Sequence, residues 1–479
     1  MVVHAMLLED YIVKNGQWAA ACFILSAVDC AAAAPLNSLY VFKGGTDGSA
    51  PSGLVADAAG NLYGTTFNGG TNSACNGCGT VFELSPPAGG QGVWTYTLLY
   101  SFAGFGDGNN PAAALAIDAS GNLYGTTQYG GGPPYTVCAY GCGTIFRLQP
   151  PTSAGGMWTE SVLYRFTGGA DGGTPFTPVT IGASGKLYGT TYYYGATAAS
   201  ACMQANQPNG CGVVYQLSPP AAGSANWTET ILHSFTNAPD GAYPAAGLIV
   251  DPFGNLFGTT AYGGSTGFGY GTVFMLRSPA PGSTAWTESV LWKFNYADGY
   301  FPFDPLIFGP GGLYGTTRAG GDACAITGTG TGTGCGLVFA LLQPAQGKTN
   351  WTEQVLHKFR GGKDGAYPSA GLTFDSSGYL LGTTTFGGGG PCSVPGYDTG
   401  CGTVYQLAPP VSGTAWTETI LYAFQDLADG AFPGAGLIYD LFGDYAGTTA
   451  TQSSATGMAR RSSPATSATQ GTAFSVRRG

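Results

Sequence analysis

Histidine and charge are what this sequence has least of. Three His and a charged fraction of 9% leave little material for acid–base machinery or a multi-His metal centre. His4 stands near the N-terminus. His233 and His357 occupy places that other copies of an internal repeat fill with Tyr100, Tyr164, Trp292 and Tyr422, so they read as aromatic substitutes and no catalytic residue is assigned. With 16 Lys and Arg against 26 Asp and Glu, and no basic cluster, nucleic acid is a poor partner. The apolar run Trp18–Val28 is too short to span a bilayer. Helix signals are nearly absent after it, and the many Gly doublets lack the strand-to-helix context of a phosphate loop.

What the chain does have is glycine, 82 residues of it, and aromatic residues at 13%, a mixture that suits short strands and tight turns. The stretch Leu62–Thr66, LYGTT, returns unchanged at Leu123–Thr127, Leu187–Thr191 and Leu313–Thr317, and with small changes at Leu256–Thr260, Leu380–Thr384 and Tyr445–Thr449. The period is about 64 residues, the mark of a repeat array.

Each copy divides into four strand-like runs, a to d. Run a is Gly247–Val250 in the fourth copy, run b is LYGTT, run c is Gly79–Leu84 in the first copy, and run d is Trp227–Leu232 in the third. Runs a, b and c occur seven times. The Trp-initiated run d occurs six times, and a seventh, Asn37–Phe42, stands alone before the first a. A ring whose termini meet in one blade predicts this split. The fold expected is all-β, a seven-bladed β-propeller of four-stranded blades over residues 35–479, its last blade (425–479 plus 37–42) degenerate. An open solenoid needs no such complementarity. Residues 1–34 are separate: Lys14, an apolar run, and Ala31–Ala34 before Pro35 read as a signal peptide, with Met6 an alternative start.

Taken together, GL-x-x-D-x-x-GNLYGTT-x-x-GG, GCGTVF-x-L-x-PP and WTE-x-x-LY-x-F resemble the GloVer (Gloeo/Verruco) tandem repeat of exported bacterial proteins over residues 37–449. The resemblance implies a propeller-like repeat protein, secreted or at the cell surface, often tethered by a C-terminal anchor and without an assigned activity. Residues 450–479 depart from that pattern: they are rich in Ser, Thr and Ala and carry no hydrophobic anchor.

Ten of the twelve cysteines lie two per b–c loop: Cys75 and Cys78, Cys138 and Cys142, Cys202 and Cys211, Cys324 and Cys335, Cys392 and Cys401. The fourth loop has Tyr270 in the second place and lacks both, as does the seventh. Loss in pairs, in an exported chain, favours five intraloop disulfides. Zinc and redox pairs are the rivals, but zinc wants four ligands and each loop offers two.

Every d–a connection carries Asp-Gly-x-x-Pro, with the aspartates Asp47, Asp107, Asp171, Asp240, Asp298, Asp364 and Asp429. Turn building explains all seven. The functional reading is a ring of carboxylates binding sugar hydroxyls or a cation, for which Ca²⁺ suits oxygen ligands. If strand a is innermost, that ring lies near the channel mouth. The a–b aspartates Asp57, Asp118, Asp251, Asp375 and Asp440 read as hairpin chemistry, and the Glu of WTE (Glu160, Glu229, Glu288, Glu353, Glu418) as outer-strand residues on a solvated face. Antiparallel strands put d–a and b–c connections on one face. The expectation is therefore a monomeric, non-catalytic scaffold that needs no cofactor and binds a glycan, cation or surface protein there. The alternative is a secreted carbohydrate-active enzyme, glycoside hydrolase or lyase, with copies three and five, which lack the a–b aspartate, the place to look.

Overall fold

In the computed structural model, residues 36–450 and 471–477 are described. The exceptions are 73–74, 76, 91, 133–137, 154, 196–201, 203–209, 222–223, 225, 266, 268, 323, 325–333, 394–399 and 427–428. The expected signal peptide of residues 1–34 and the segment 451–470 lie outside the described residues.

Seven antiparallel sheets make a seven-bladed propeller. Strands a to d of blade 2, for example, are Ala116–Ile117, Leu123–Thr127, Thr144–Gln149 and Thr159–Arg165. In blades 1, 6 and 7 the short strand a is broken in two. Leu36–Val41 pairs with Gly471–Val476, from Leu36 opposite Val476 to Val41 opposite Thr472, so the N-terminal strand completes the last blade. The ring closes through tertiary contacts as well. Thr448 Oγ1 donates to the Ser52 carbonyl at 3.1 Å, and Gly471 lies so close to Pro51 that a Cβ would collide with its ring.

The repeated motif is legible residue by residue. Its Leu is fully buried in blades 1, 2, 4 and 6. Its Tyr caps the preceding hairpin: Tyr63 Oη donates to Asp57 Oδ2 at 3.1 Å and Tyr124 Oη to Asp118 Oδ2 at the same distance. Its first Thr crosses to the next blade, as Thr65 to the Ala113 carbonyl (3.1 Å) and Thr126 to that of Thr177 (3.0 Å). Its second Thr ties strand b to strand c, as Thr66 to Thr80 at 2.7 Å and Thr384 to Thr403 at 2.8 Å.

Its Gly is required by what lies across it. A Cβ on Gly258 would sit 2.7 Å from Phe274 Cζ and 2.9 Å from Leu248 Cδ2. Phe274 in turn is packed edge-on by Phe235 of the preceding blade, centroids 5.1 Å apart. The same pair recurs at all seven boundaries: Phe42–Phe82, Phe102–Phe146, Phe166–Tyr215, Phe235–Phe274, Phe294–Phe339, Phe359–Tyr405 and Phe424–Phe474, with centroids 5.0–5.3 Å apart. One prediction follows from this crowding. Gly258→Ala overpacks a blade boundary and should lose about 1–3 kcal/mol, read as a lower denaturation midpoint at unchanged circular dichroism.

Candidate functional site

The d–a and b–c connections meet on one face. In six blades the residue before the repeated proline donates its N–H to a carbonyl of the preceding b–c loop: Asn110 to Cys78, Thr174 to Cys142, Tyr243 to Cys211, Phe301 to Tyr270, Tyr367 to Cys335 and Phe432 to Cys401, at 2.7–3.1 Å. The acceptor is the second cysteine of the loop or, in blade 4, Tyr270, which keeps the bond without a disulfide. The donors hold φ of 56–63°, a left-handed conformation unfavourable for bulky side chains and for residues before proline. Ala50, at φ 52°, completes the set of seven. All five predicted disulfides are formed, with Cα separations of 5.0–5.4 Å, inside the usual range. Intact protein should therefore take up no alkylating agent at these ten positions until reduced, a mass measurement that ten added labels would contradict.

The seven aspartates build turns. Each accepts from the N–H of a residue three or four places earlier: Asp47 from Lys43, Asp107 from Ala103, Asp171 from Thr167, Asp240 from Thr236, Asp298 from Asn295, Asp364 from Arg360 and Asp429 from Gln425. Six also meet the aromatic side chain seven residues back, at the end of outermost strand d. Tyr40, Tyr100, Tyr164 and Tyr422 donate a hydroxyl, while Nε2 of His233 and of His357 lies 2.9 Å and 3.2 Å from its aspartate. The histidines thus fill the aromatic slot, as their positions predict, and also share its bond. The carboxylates are tied to the outer strands, whereas the axis is lined by strand a.

Outer-strand geometry overturns one expectation. The Glu of WTE does not face solvent: one carboxyl oxygen of each of Glu160, Glu229, Glu288, Glu353 and Glu418 is enclosed and makes no hydrogen bond. Every strand d carries a bulge, where one residue has no partner in strand c. In blade 3, Glu229 pairs with Leu217 and Ile231 with Tyr215, then His233 pairs with Val214. Residues four apart would share a face of a regular strand; the bulge turns Glu and the aromatic to opposite faces. Each Glu therefore meets the aspartate of the preceding blade, and five of the seven boundaries hold an aromatic, an Asp and a Glu, such as Tyr100, Asp107 and Glu160.

Burial, and then the charge of the facing Asp, pushes Glu160, Glu229 and Glu353 up to about 7. Burial also works on Asp240, but His233 and Thr236 outweigh it and hold that carboxyl below its ordinary value. For the three glutamates the folded state favours the protonated form. Their stabilising effect is complete below the unfolded value near 4.5 and is lost as pH rises through 7. Thermal stability should fall as pH rises from about 4.5 to about 7, and the triple variant E160Q/E229Q/E353Q should flatten that decline.

Near the axis the repeat is broken. Phe176 and Phe303 stand directly after the repeated proline, where other blades have Ala112, Ala245, Ser369 and Gly434. Their rings stack at 5.7 Å and 18°, joining blade 3 to blade 5 past Ala245 of blade 4. Phe301 stacks on Phe303 at 5.2 Å, Tyr192 lies 4.9 Å from Phe176, and Tyr192 stacks on Tyr243 at 5.1 Å. Beside them Asp304 is buried where Thr177 and Ala246 stand in other blades. Its Oδ2 accepts from Thr316 at 3.0 Å, and burial, partly offset by Thr316 and Arg318, raises it to about 7. The sequence singled out copies three and five, but not Phe176, Phe303 or Asp304. Comparing the position after the proline across copies would have found the two phenylalanines.

The chain matches the Gloeobacter/Verrucomicrobia repeat over residues 28–203 and 200–459. It belongs to that family. No curated protein matches it in sequence. Among solved structures, the calcium structure of Trichoderma reesei Carbohydrate-Active Enzymes Family AA12 is 13% identical with a TM-score of 0.43, covering 94% of this chain and 96% of that one. The pyranose dehydrogenase PQQ domain of Coprinopsis cinerea is 12% identical at 0.41, covering 93% and 97%. A Dyadobacter fermentans protein of unknown function is 12% identical at 0.38, covering 92% and 99%. Likeness at this level carries no functional information. Among the described residues of this repeat protein, no helix is long and apolar enough to cross a membrane.

Proposed function

We propose that this member of the repeat family is an exported scaffold that binds a glycan on the face carrying the disulfide loops. The observation that carries the reading is the Phe176–Phe303 stack. It is a partly buried aromatic platform set among Tyr192 and Phe301, at the one place near the axis where phenylalanine replaces the small residues of the other copies. Aromatic faces flanked by a few polar groups are the usual make-up of small-ligand sites. The latch between each d–a turn and the second-cysteine carbonyl supports the same reading, because loops of different length are then displayed from an unchanging ring. Five disulfides favour an oxidising, extracytoplasmic setting.

The test is a glycan array read with and without Ca²⁺, since the aspartates of this face offer oxygen ligands. Binding that disappears in F176A/F303A at unchanged fold supports the reading. A blank array, or binding indifferent to the double variant, sinks it. A second reading, catalysis on a polysaccharide, is favoured by Asp304 alone, a buried acid raised to about 7 in the blade where the repeat departs from its pattern. Turnover of a polysaccharide by the native chain that is lost in D304N would replace the scaffold reading.

A further inference from the structure

At one blade boundary the repeated trio becomes a set of metal ligands. His357 ends the outer strand Thr352–Lys358 of blade 5, Asp364 lies in the turn after it, and Glu418 comes from the outer strand Thr417–Ala423 of blade 6. His357 Nε2 is 3.2 Å from Asp364 Oδ1 and 3.7 Å from Glu418 Oε1, and the three ligand atoms lie within 4.8 Å of one another. Ligands at roughly 2.0–2.2 Å from a tetrahedral ion stand about 3.3–3.6 Å apart, close to the two distances from the imidazole.

Each ligand is held from behind. The imidazole meets Phe359 edge-on at 4.8 Å, Asp364 accepts from the Arg360 N–H at 2.6 Å, and Glu418 is fixed on a paired strand. Glu418 Oε1 is enclosed and accepts no hydrogen bond, and the Glu418 carboxyl lies against that of Asp364.

The other boundaries serve as controls within the same chain. Tyr100, Tyr164 and Trp292 replace the imidazole where Asp and Glu are kept, and none of these offers a ring nitrogen lone pair. His233, Asp240 and Glu288 repeat the three residue types, yet among the described residues only the His357 set closes to ligand distance. Two carboxylates and one imidazole are too few oxygens for Ca²⁺, which takes six to eight, and suit a borderline divalent ion.

We propose that His357, Asp364 and Glu418 form a Zn²⁺-class site that staples blade 5 to blade 6, with a fourth position open to water. The site is independent of the glycan reading. The experiment is calorimetric titration of the tag-free, chelator-stripped full chain with zinc chloride at pH 7, with calcium chloride as comparison. One saturating Zn²⁺ per chain is expected, with a zinc-dependent rise in melting temperature. His357→Tyr installs the residue native to four other blades and should fold normally while binding more than about tenfold more weakly. Glu418→Gln should weaken binding similarly, and His233→Tyr should leave it unchanged. Absence of saturable Zn²⁺ binding, equal affinity in folded H357Y, or equal response to Ca²⁺ overturns the site.

Discussion

Seven aromatic pairs, six edge-on and one tilted, hold this ring together, and much of the repeat exists to make room for them. Each Phe that follows strand d reaches into the next blade and meets the Phe or Tyr of strand c. That ring lies across strand b and leaves no space for a Cβ on the Gly of LYGTT. Such pairs contribute about 0.5–1.5 kcal/mol each beyond their buried area. Because the seventh pair joins Phe424 to Phe474 and the first joins Phe42 to Phe82, the ring has no weak seam at its termini. The N-terminal strand is thus as much part of the last blade as any other strand.

A second constraint acts on the face above. The residue before each proline is forced into a left-handed conformation, and in six blades a carbonyl of the preceding loop holds it there. Strain of this kind persists only where surroundings over-determine it. The disulfide stiffens the loop that supplies the carbonyl, and the turn aspartate stiffens the other side. Blade 4 shows the order of importance. It keeps the bond, through Tyr270, and gives up the disulfide.

At the outer edge, electrostatics replaces packing. A charge-poor protein places a Glu against an Asp at five boundaries, with one Glu oxygen enclosed each time. Burial keeps the proton on Glu160, Glu229 and Glu353 up to about pH 7. At the boundary where His357 takes the aromatic slot, the same geometry brings an imidazole nitrogen and two carboxylates within 4.8 Å of one another.

The sequence by itself determined the blade count, the strand order, the split last blade and the cysteine pairing, because each is a matter of period and co-occurrence along one dimension. It also placed the aspartates in turns and the two histidines in an aromatic slot. Three things were decided only in the tertiary structure. The bulge in strand d, which no residue pattern announces, turned Glu229 and its counterparts from solvent to a blade boundary. Ring curvature brought Phe176 and Phe303, two blades apart, into one stack over Ala245. The boundary itself assembled His357, Asp364 and Glu418 from separate blades. In each case the deciding quantity is an angle between backbone segments, set by how sheets twist and close, and a list of residues carries no angles.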